Sequence, residues 1–391
     1  MVGLINNWVS HAQLSVNEAE WLADKRATAI QQLKQLDDPG RKLESWRYAE
    51  SSRLYQSIET VDSPQSLTDC IDEAASDVKI DECVIRLQDD GFVVSDECPD
   101  YLDVQAINSM SENEWLDLAF GQETVVNLAN TALFNSGVFV CIKTNAKNPI
   151  KIVIEYDYKN NNQWQFIRNH LKVTADTSIT LEERWLSGRI NAVNVYQLED
   201  QVSLLRHQKM SLSQTAQFVS FNYFEVANDV NIVTMNQHYG GGLQHHIHQF
   251  NLRAHGAKVK LGSINKSYAN NNISDIVQVN HYSKNNQSDV THRSIAKDQS
   301  QIYNNAKAVV APGADQSVIE QDLKNILLSE NAKIFSKPEL EVYADEVVAA
   351  HGSTIGALDE TALFYLQSRG IDVEQAREIM IESFEQEAVV C

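Results

Sequence analysis

The chain is poor in cysteine, proline and basic residues, and each shortage excludes a class of protein. Five cysteines in 391 residues, Cys70, Cys83, Cys98, Cys141 and Cys391, form no C-x-x-C pair. That odd, scattered set argues against a secreted disulfide framework, a structural zinc knuckle and a permanently held cluster, and it points to a reducing cytoplasm. Lysine and arginine total 32 against 53 aspartates and glutamates, a net charge of −21. Duplex nucleic acid is held largely by phosphate neutralisation, so it is not an expected partner, whereas an acidic surface fits basic protein partners. No apolar run approaches the roughly 20 residues of a membrane span, and the N-terminus has no basic-then-apolar signal pattern. A soluble, untargeted cytoplasmic protein is expected. No G-x-x-x-x-G-K-[ST] loop occurs, so no Walker-type ATP site is expected, and Gly240-Gly241-Gly242 reads as a turn. Gly352-Ser353-Thr354-Ile355-Gly356 carries threonine where a nucleophile elbow needs serine, which argues against hydrolase chemistry.

What is present divides the chain into three. Ser15-x-x-Glu18 is a capping box before Ala19, Leu22, Ala23, Ile30 and Leu33, which recur at helical spacing until Pro39-Gly40. A short β-like piece spans residues 83–94 with a turn at Asp90-Gly91. A second capping box, Ser111-x-x-Glu114, predicts a helix that aligns Trp115, Leu118, Ala119, Val126, Ala129 and Leu133. From about residue 138 to about residue 343, short alternating runs follow one another with polar or glycine punctuation, as in a large all-β body. A sandwich, a closed barrel and a β-helix all fit this spacing. Asparagine at the run ends (Asn160-Asn161-Asn162, Asn270-Asn271-Asn272, Asn285-Asn286, Asn304-Asn305) and only six prolines favour a β-helix, since asparagine tolerates left-handed corners and every coil must donate backbone N–H groups to its neighbours. Finally, Asp372-x-x-Gln375 predicts a helix whose Val373, Ala376, Ile379, Met380, Phe384 and Ala388 form an apolar stripe. The expected domains are residues 1–135, mostly helical; 136–345, the β core; and 346–391, helical.

Seven histidines, His238, His245, His246, His248, His255, His281 and His292, fall in the β region. His246 and His248 would share one strand face, the geometry by which cupin-like barrels offer two imidazoles to a metal, with His238, Glu225 and His281 as further ligand candidates. The plainer reading is that they are half-exposed strand residues or make ladder hydrogen bonds. Arg41, Lys42, Trp46 and Tyr48 read as basic stems covering a Trp–Tyr packing contact.

Residues 337–370, KPELEVYADEVVAAHGSTIGALDETALFYLQSRG, change hydrophobic period within one run. Leu340, Val342 and Ala344 alternate with Glu341, Tyr343 and Asp345 as in a half-buried strand, and a helix is opened by Asp359 and closed by Gly370. His351 lies at the change and reads as an exposed turn residue. The run closely resembles the C-terminal signature of the SufD branch of the SufB/SufD scaffold family, part of the SUF iron–sulfur cluster assembly machinery. Lys337-Pro338, Leu340-Glu341, Tyr343-Ala344-Asp345, His351-Gly352, Thr354, Gly356, Asp359, Phe364-Tyr365-Leu366 and Ser368-Arg369-Gly370-Ile371 all fit. Ala349 departs from it, standing where the pattern has a cysteine. Arg41-Lys42-x-Glu44-x-Trp46-Arg47-Tyr48 looks like a second family motif.

The resemblance implies a right-handed parallel β-helix between helical ends and a non-catalytic scaffold role. It implies pairing with SufB through the β-helix and docking of the SufC ATPase on the C-terminal helices, for which Ile379, Met380 and Phe384 are candidates. A homodimer is the open alternative for the isolated chain. His351 becomes the candidate for nascent cluster assembly or iron contact, with no tightly bound cofactor and only a transient cluster or iron at the SufB interface. A metal-dependent cupin-type enzyme using His246 and His248, and a β-helix interaction protein with no metal role, are the alternatives.

Overall fold

The computed structural model describes residues 4–10, 18–40, 42–55, 81–88, 91–116, 124–142, 149–158, 163–185 and 188–389. Helices α1 (Leu4–Ser10), α2 (Glu20–Leu33) and α3 (Thr124–Leu133) belong to the N-terminal part. Three short strands come next to them, β1 (Asp81–Gln88), β2 (Gly91–Val94) and β3 (Leu102–Ala106). The core strands are β4 (Val138–Ile142), β5 (Ile150–Asp157), β6 (Trp164–Val173), β7 (Ser178–Trp185), β8 (Arg189–Leu198), β9 (Ser203–Leu212), β10 (Gln217–Val226) and β11 (Asn231–Gly240). They continue as β12 (Leu243–Leu252), β13 (Lys258–Ser267), β14 (Asn272–His281), β15 (Gln287–Ala296), β16 (Gln301–Val310), β17 (Ser317–Leu327), β18 (Lys333–Val342) and β19 (Val347–Gly356). Helices α4 (Glu360–Ser368) and α5 (Val373–Gln386) follow.

From β5 onward, odd-numbered strands pair in parallel with odd and even with even, so that each coil gives one strand to each of two sheets. The result is a parallel β-solenoid of about seven turns. The antiparallel β1–β2 hairpin closes the N-terminal edge of the first sheet and β3 that of the second. At the other end β19 and β18 are the last strands of their sheets. Among the described residues, strand structure therefore extends beyond residue 345, to Gly356, and is already present at Asp81, well before residue 136. Both expected domain limits fall between strands, and strands on either side of each limit pair, β3 with β4 and β17 with β19.

Stacked identical register explains the core. Tyr196, Phe224 and Phe250 form one aromatic column with ring centroids 4.3 and 4.2 Å apart, and Trp185 stacks on Tyr156 with Phe218 edge-on. A second apolar cluster lies outside the second sheet, where Trp8, Leu22, Val126 and Ala129 of the N-terminal helices cover Phe166, Phe221 and Leu243. With both faces covered, strands such as β12 are buried at every position, which is why simple alternation fails there.

Several local expectations are corrected. The Ser111–Glu114 capping box forms, but it closes a single 3₁₀ turn at Glu112–Glu114 that ends at an extended Trp115, and α3 is described over Thr124–Leu133. Ser15, Arg41, Leu118, Ala119 and Asn160-Asn161-Asn162 lie outside the described residues. Left-handed corners are occupied mainly by Asp176, Gln201, Asp229, Ala269, Asp298 and Gln316; among the described asparagines only Asn285 serves this way. Asn272, Asn304 and Asn305 are buried and hydrogen-bonded instead. Cys83 and Cys98 form a disulfide, because the β1–β2 hairpin returns the chain beside its start. A separation of fifteen residues carries no local signature of that pairing. Among the described residues no helix is long and apolar enough to cross a membrane.

Candidate functional site

The open end of the solenoid gathers both sequence motifs. Lys337 on β18 forms an ion pair with Glu44 and a second with Glu339 at 2.9 Å. Burial opposes the charge on Lys337, but its bonds to the two glutamates prevail and raise its pKa, while Glu44 is lowered chiefly by the Lys337 hydrogen bond. Trp46 does not pack on Tyr48. Trp46 stacks on His245 at 4.0 Å and Tyr48 on Phe335 at 4.1 Å, so the motif clips the N-terminal part to the second sheet. Pro338 sits on the edge strand β18, where a missing N–H costs no ladder bond.

His351 is not in a turn. It lies in the middle of β19, exposed, and its register partner is Gln321 of β17. On β17, Ile319, Gln321, Leu323 and Asn325 are buried and Glu320 is exposed, so the first four face the lumen. Their partners on β19, namely Ala349, His351, Ser353 and Ile355, occupy the same face by the period-two rule and are exposed because no further coil covers them. Ser353 Oγ donates to Ser336 Oγ at 2.8 Å, joining β19 to β18. Val342, Tyr343, Val348 and Ile355 leave apolar surface in the same region.

The lumen behind this end is polar. Arg206 and Glu183, both fully buried, pair at 2.5 Å, and Arg206 also donates to Tyr196 Oη, Thr234 Oγ1 and Asn236 Oδ1. Nearer the open end, Asp275 is surrounded by His292 Nδ1 at 3.5 Å, His248 Nε2 at 3.7 Å and His238 Nδ1 at 3.8 Å, all four fully buried. Burial pushes the Asp275 carboxyl up, but the three imidazoles and the Ser263 hydroxyl outweigh it and hold the pKa at about 2. Desolvation lowers His248 to about 3.

His246 and His248 do share a face of β12, as expected, but it is the closed lumen face. Both ring nitrogens of His246 are engaged, Nδ1 with Ser220 at 2.9 Å and Nε2 with Gln244 at 3.0 Å. His238 stacks on His246 at 4.0 Å, whereas Glu225 binds Arg253 outside and His281 pairs with Ser288. Among the described residues no three His, Cys, Asp or Glu side chains are grouped to hold a metal ion. A parallel solenoid is also not a cupin barrel, so that alternative loses both its fold and its ligand set. Sequence reasoning missed Asp275, Arg206 and Glu183, and named His292 without giving it a role. The one signal for them was a charge at the centre of an apolar run, as in Ile273-Ser274-Asp275-Ile276-Val277.

The C-terminal helices form as predicted. Asp359 and Asp372 cap them by accepting backbone N–H groups, and Gly370 takes the left-handed position between them. Helix α5 is fastened at its end: Lys266 pairs with Glu385, Arg293 and Lys324 with Glu387, and Gly262 leaves room for the Ala388 carbonyl. Of the stripe, Ala376 and Ala388 are buried, Met380 and Phe384 are half-buried and Ile379 is exposed. The stripe is thus only partly used inside the chain. Phe364 and Tyr365 of α4 are exposed at 71% and 56%.

Comparison with known proteins is decisive at this point. Residues 154–384 match the family model for SUF system FeS cluster assembly, SufBD core domain. The chain belongs to this family. It is 22% identical over 393 aligned residues to the iron–sulfur cluster assembly protein SufD of Bacillus subtilis (strain 168), covering 94% of this chain and 89% of that one. It is 36% identical over 93 residues to SufD of Escherichia coli (strain K12), and 37% identical over 93 residues to a SufBD family protein of Synechocystis. The last two matches each take in 24% of this chain and span 22% and 20% of those relatives. The family is described as one of iron–sulfur cluster assembly by the SUF system.

Proposed function

We propose that the chain is a non-catalytic SUF scaffold subunit that pairs with SufB at the open end of its solenoid, binds the SufC ATPase through α4 and α5, and uses His351 during formation of the nascent cluster. The carrying observation is the unpaired edge: β18 and β19 end their sheets with free backbone groups beside exposed Val348, Ile355 and Tyr343. Unpaired strands with apolar side chains are aggregation-prone unless a partner covers them. Exposed Phe364, Tyr365 and Ile379 support a second docking face on the helices. Iron or a cluster would be cargo at the interface. The absence of a thiol at Ala349 leaves the imidazole as the donor that this strand contributes on the lumen face.

Co-expression with candidate SufB and SufC subunits, followed by mass measurement, is expected to give a complex of all three chains. A chain that purifies alone, or only as its own dimer, would reject the pairing and leave a β-helix interaction protein without a SUF partner. Replacing Ile355 and Val348 together by aspartate is expected to remove SufB and retain SufC.

His351→Ala is expected to change stability by about half a kcal/mol or less, because the side chain is exposed and no cap or ion pair depends on it. Cluster assembly is expected to fail. Complementation of a strain lacking the gene, with melting temperature and complex formation measured in parallel, tests this. Full complementation rejects the role, and loss of the complex reduces His351 to an interface packing residue.

A further inference from the structure

Directly below His351 in the stack lies a buried acceptor with nothing to accept. Gln321 is 3% exposed, and its Nε2 donates to the Glu339 carbonyl of β18 at 3.2 Å, which pins the amide. Its Oε1 is buried without a partner. Native structures rarely leave a buried polar atom unpaired without a use. The nearby hydroxyl of Ser353 is committed to Ser336. Paired positions on neighbouring strands are about 4.8 Å apart and their side chains lie on one face, so His351 is the next residue above Gln321 on the lumen face.

We propose that Gln321 is a positioning residue for His351: its Oε1 accepts the ring N–H, selects one tautomer, and turns the lone pair of the other nitrogen out of the open end. This rests on the reading of His351 given above. A histidine that meets a metal or moves a proton needs its second nitrogen held in this way, since the bond on one side fixes which nitrogen is free on the other. The surrounding end of the solenoid is suited to it. Ala349 and Ser353 flank His351 on the lumen face and are small, and Asn325 donates to the Thr354 carbonyl, so the strand carrying the ring is tied down.

The test uses the full-length chain with ¹⁵N-labelled histidine, the His351 signal being identified by its loss in His351→Ala. In the wild type one tautomer of the neutral ring is expected to dominate. Gln321→Met keeps the volume and removes the acceptor, and is expected to return His351 to the mixture of a free imidazole. Gln321→Glu keeps an acceptor at the same position and is expected to retain the single tautomer. An unchanged tautomer ratio in Gln321→Met, at unchanged melting temperature, overturns the proposal. If Gln321→Glu does not fold, Gln321→Met decides alone. The two readings fail separately: complementation by His351→Ala removes the role of His351 whatever the tautomer does, whereas an unshifted tautomer removes Gln321 and leaves that role standing.

Discussion

Lowering the pH from 6.5 to 5 is expected to destabilise the chain by roughly 6 kcal/mol, enough to unfold a domain of ordinary stability. The cause is a set of imidazoles sealed inside the structure. Desolvation lowers His170 and His281 to about 4 and His245 and His248 to about 3. Arg168 reinforces the effect at His170, and Asp275 opposes it at His248. All four stay neutral in the folded chain throughout this interval, whereas the unfolded chain takes up protons below about pH 6.5. Stability is therefore fully present above pH 6.5 and is lost as the pH falls toward the folded values. Each histidine contributes roughly 1–2 kcal/mol over the interval. His238, His246 and His292 are also lowered, first by burial, and act in the same direction. Asp275, held near 2, releases its share only in stronger acid. Urea unfolding at pH 7, 6 and 5 checks this, and a midpoint independent of pH would refute it.

The second large effect is expected from Arg206→Met. Arg206 and Glu183 are both fully buried and paired at 2.5 Å, with Tyr196 and Tyr156 also donating to Glu183. Methionine fills much of the space but leaves a carboxylate without its cation, an arrangement that costs about 3–5 kcal/mol. Adding Glu183→Gln is expected to recover part of the loss, because the remaining groups are then neutral. Urea midpoints at a constant denaturant slope measure both variants. A single variant within 1 kcal/mol of wild type would show that the pair contributes little; a double variant no better than the single would locate the cost in Asn222, Thr234 and Asn236, which Arg206 also bonds.

Strands rich in branched and aromatic residues are legible in the sequence: VFVCI, IKIVIEYD and QFVSFNYFEV, which form β4, β5 and β10, carry strand formers almost throughout. β9, β15 and β17 are not. SLLRHQKMSL, QSDVTHRSIA and SVIEQDLKNIL carry charged and amide side chains at positions that a solvent-facing strand would use, and nothing local says that Arg206, His292 and Asn325 face a closed interior. Only the coil above and below each residue supplies the partners that make its burial tolerable. The same holds for β19, whose small and polar residues pass for a turn until it pairs with β17.

The chain's sequence by itself determined its composition class, the two capped C-terminal helices, the abundance of short strands and, through the motifs at residues 41–48 and 337–370, the family. These depend on neighbours a few residues apart, whose chemistry can be read in order. The tertiary structure decided which face each strand buries, that Glu44 meets Lys337, that His246 is sealed while His351 is open, and that Gln321 lies beneath it. Those contacts join residues one or more coils apart, and a register set by the whole stack has no local trace in any of its strands.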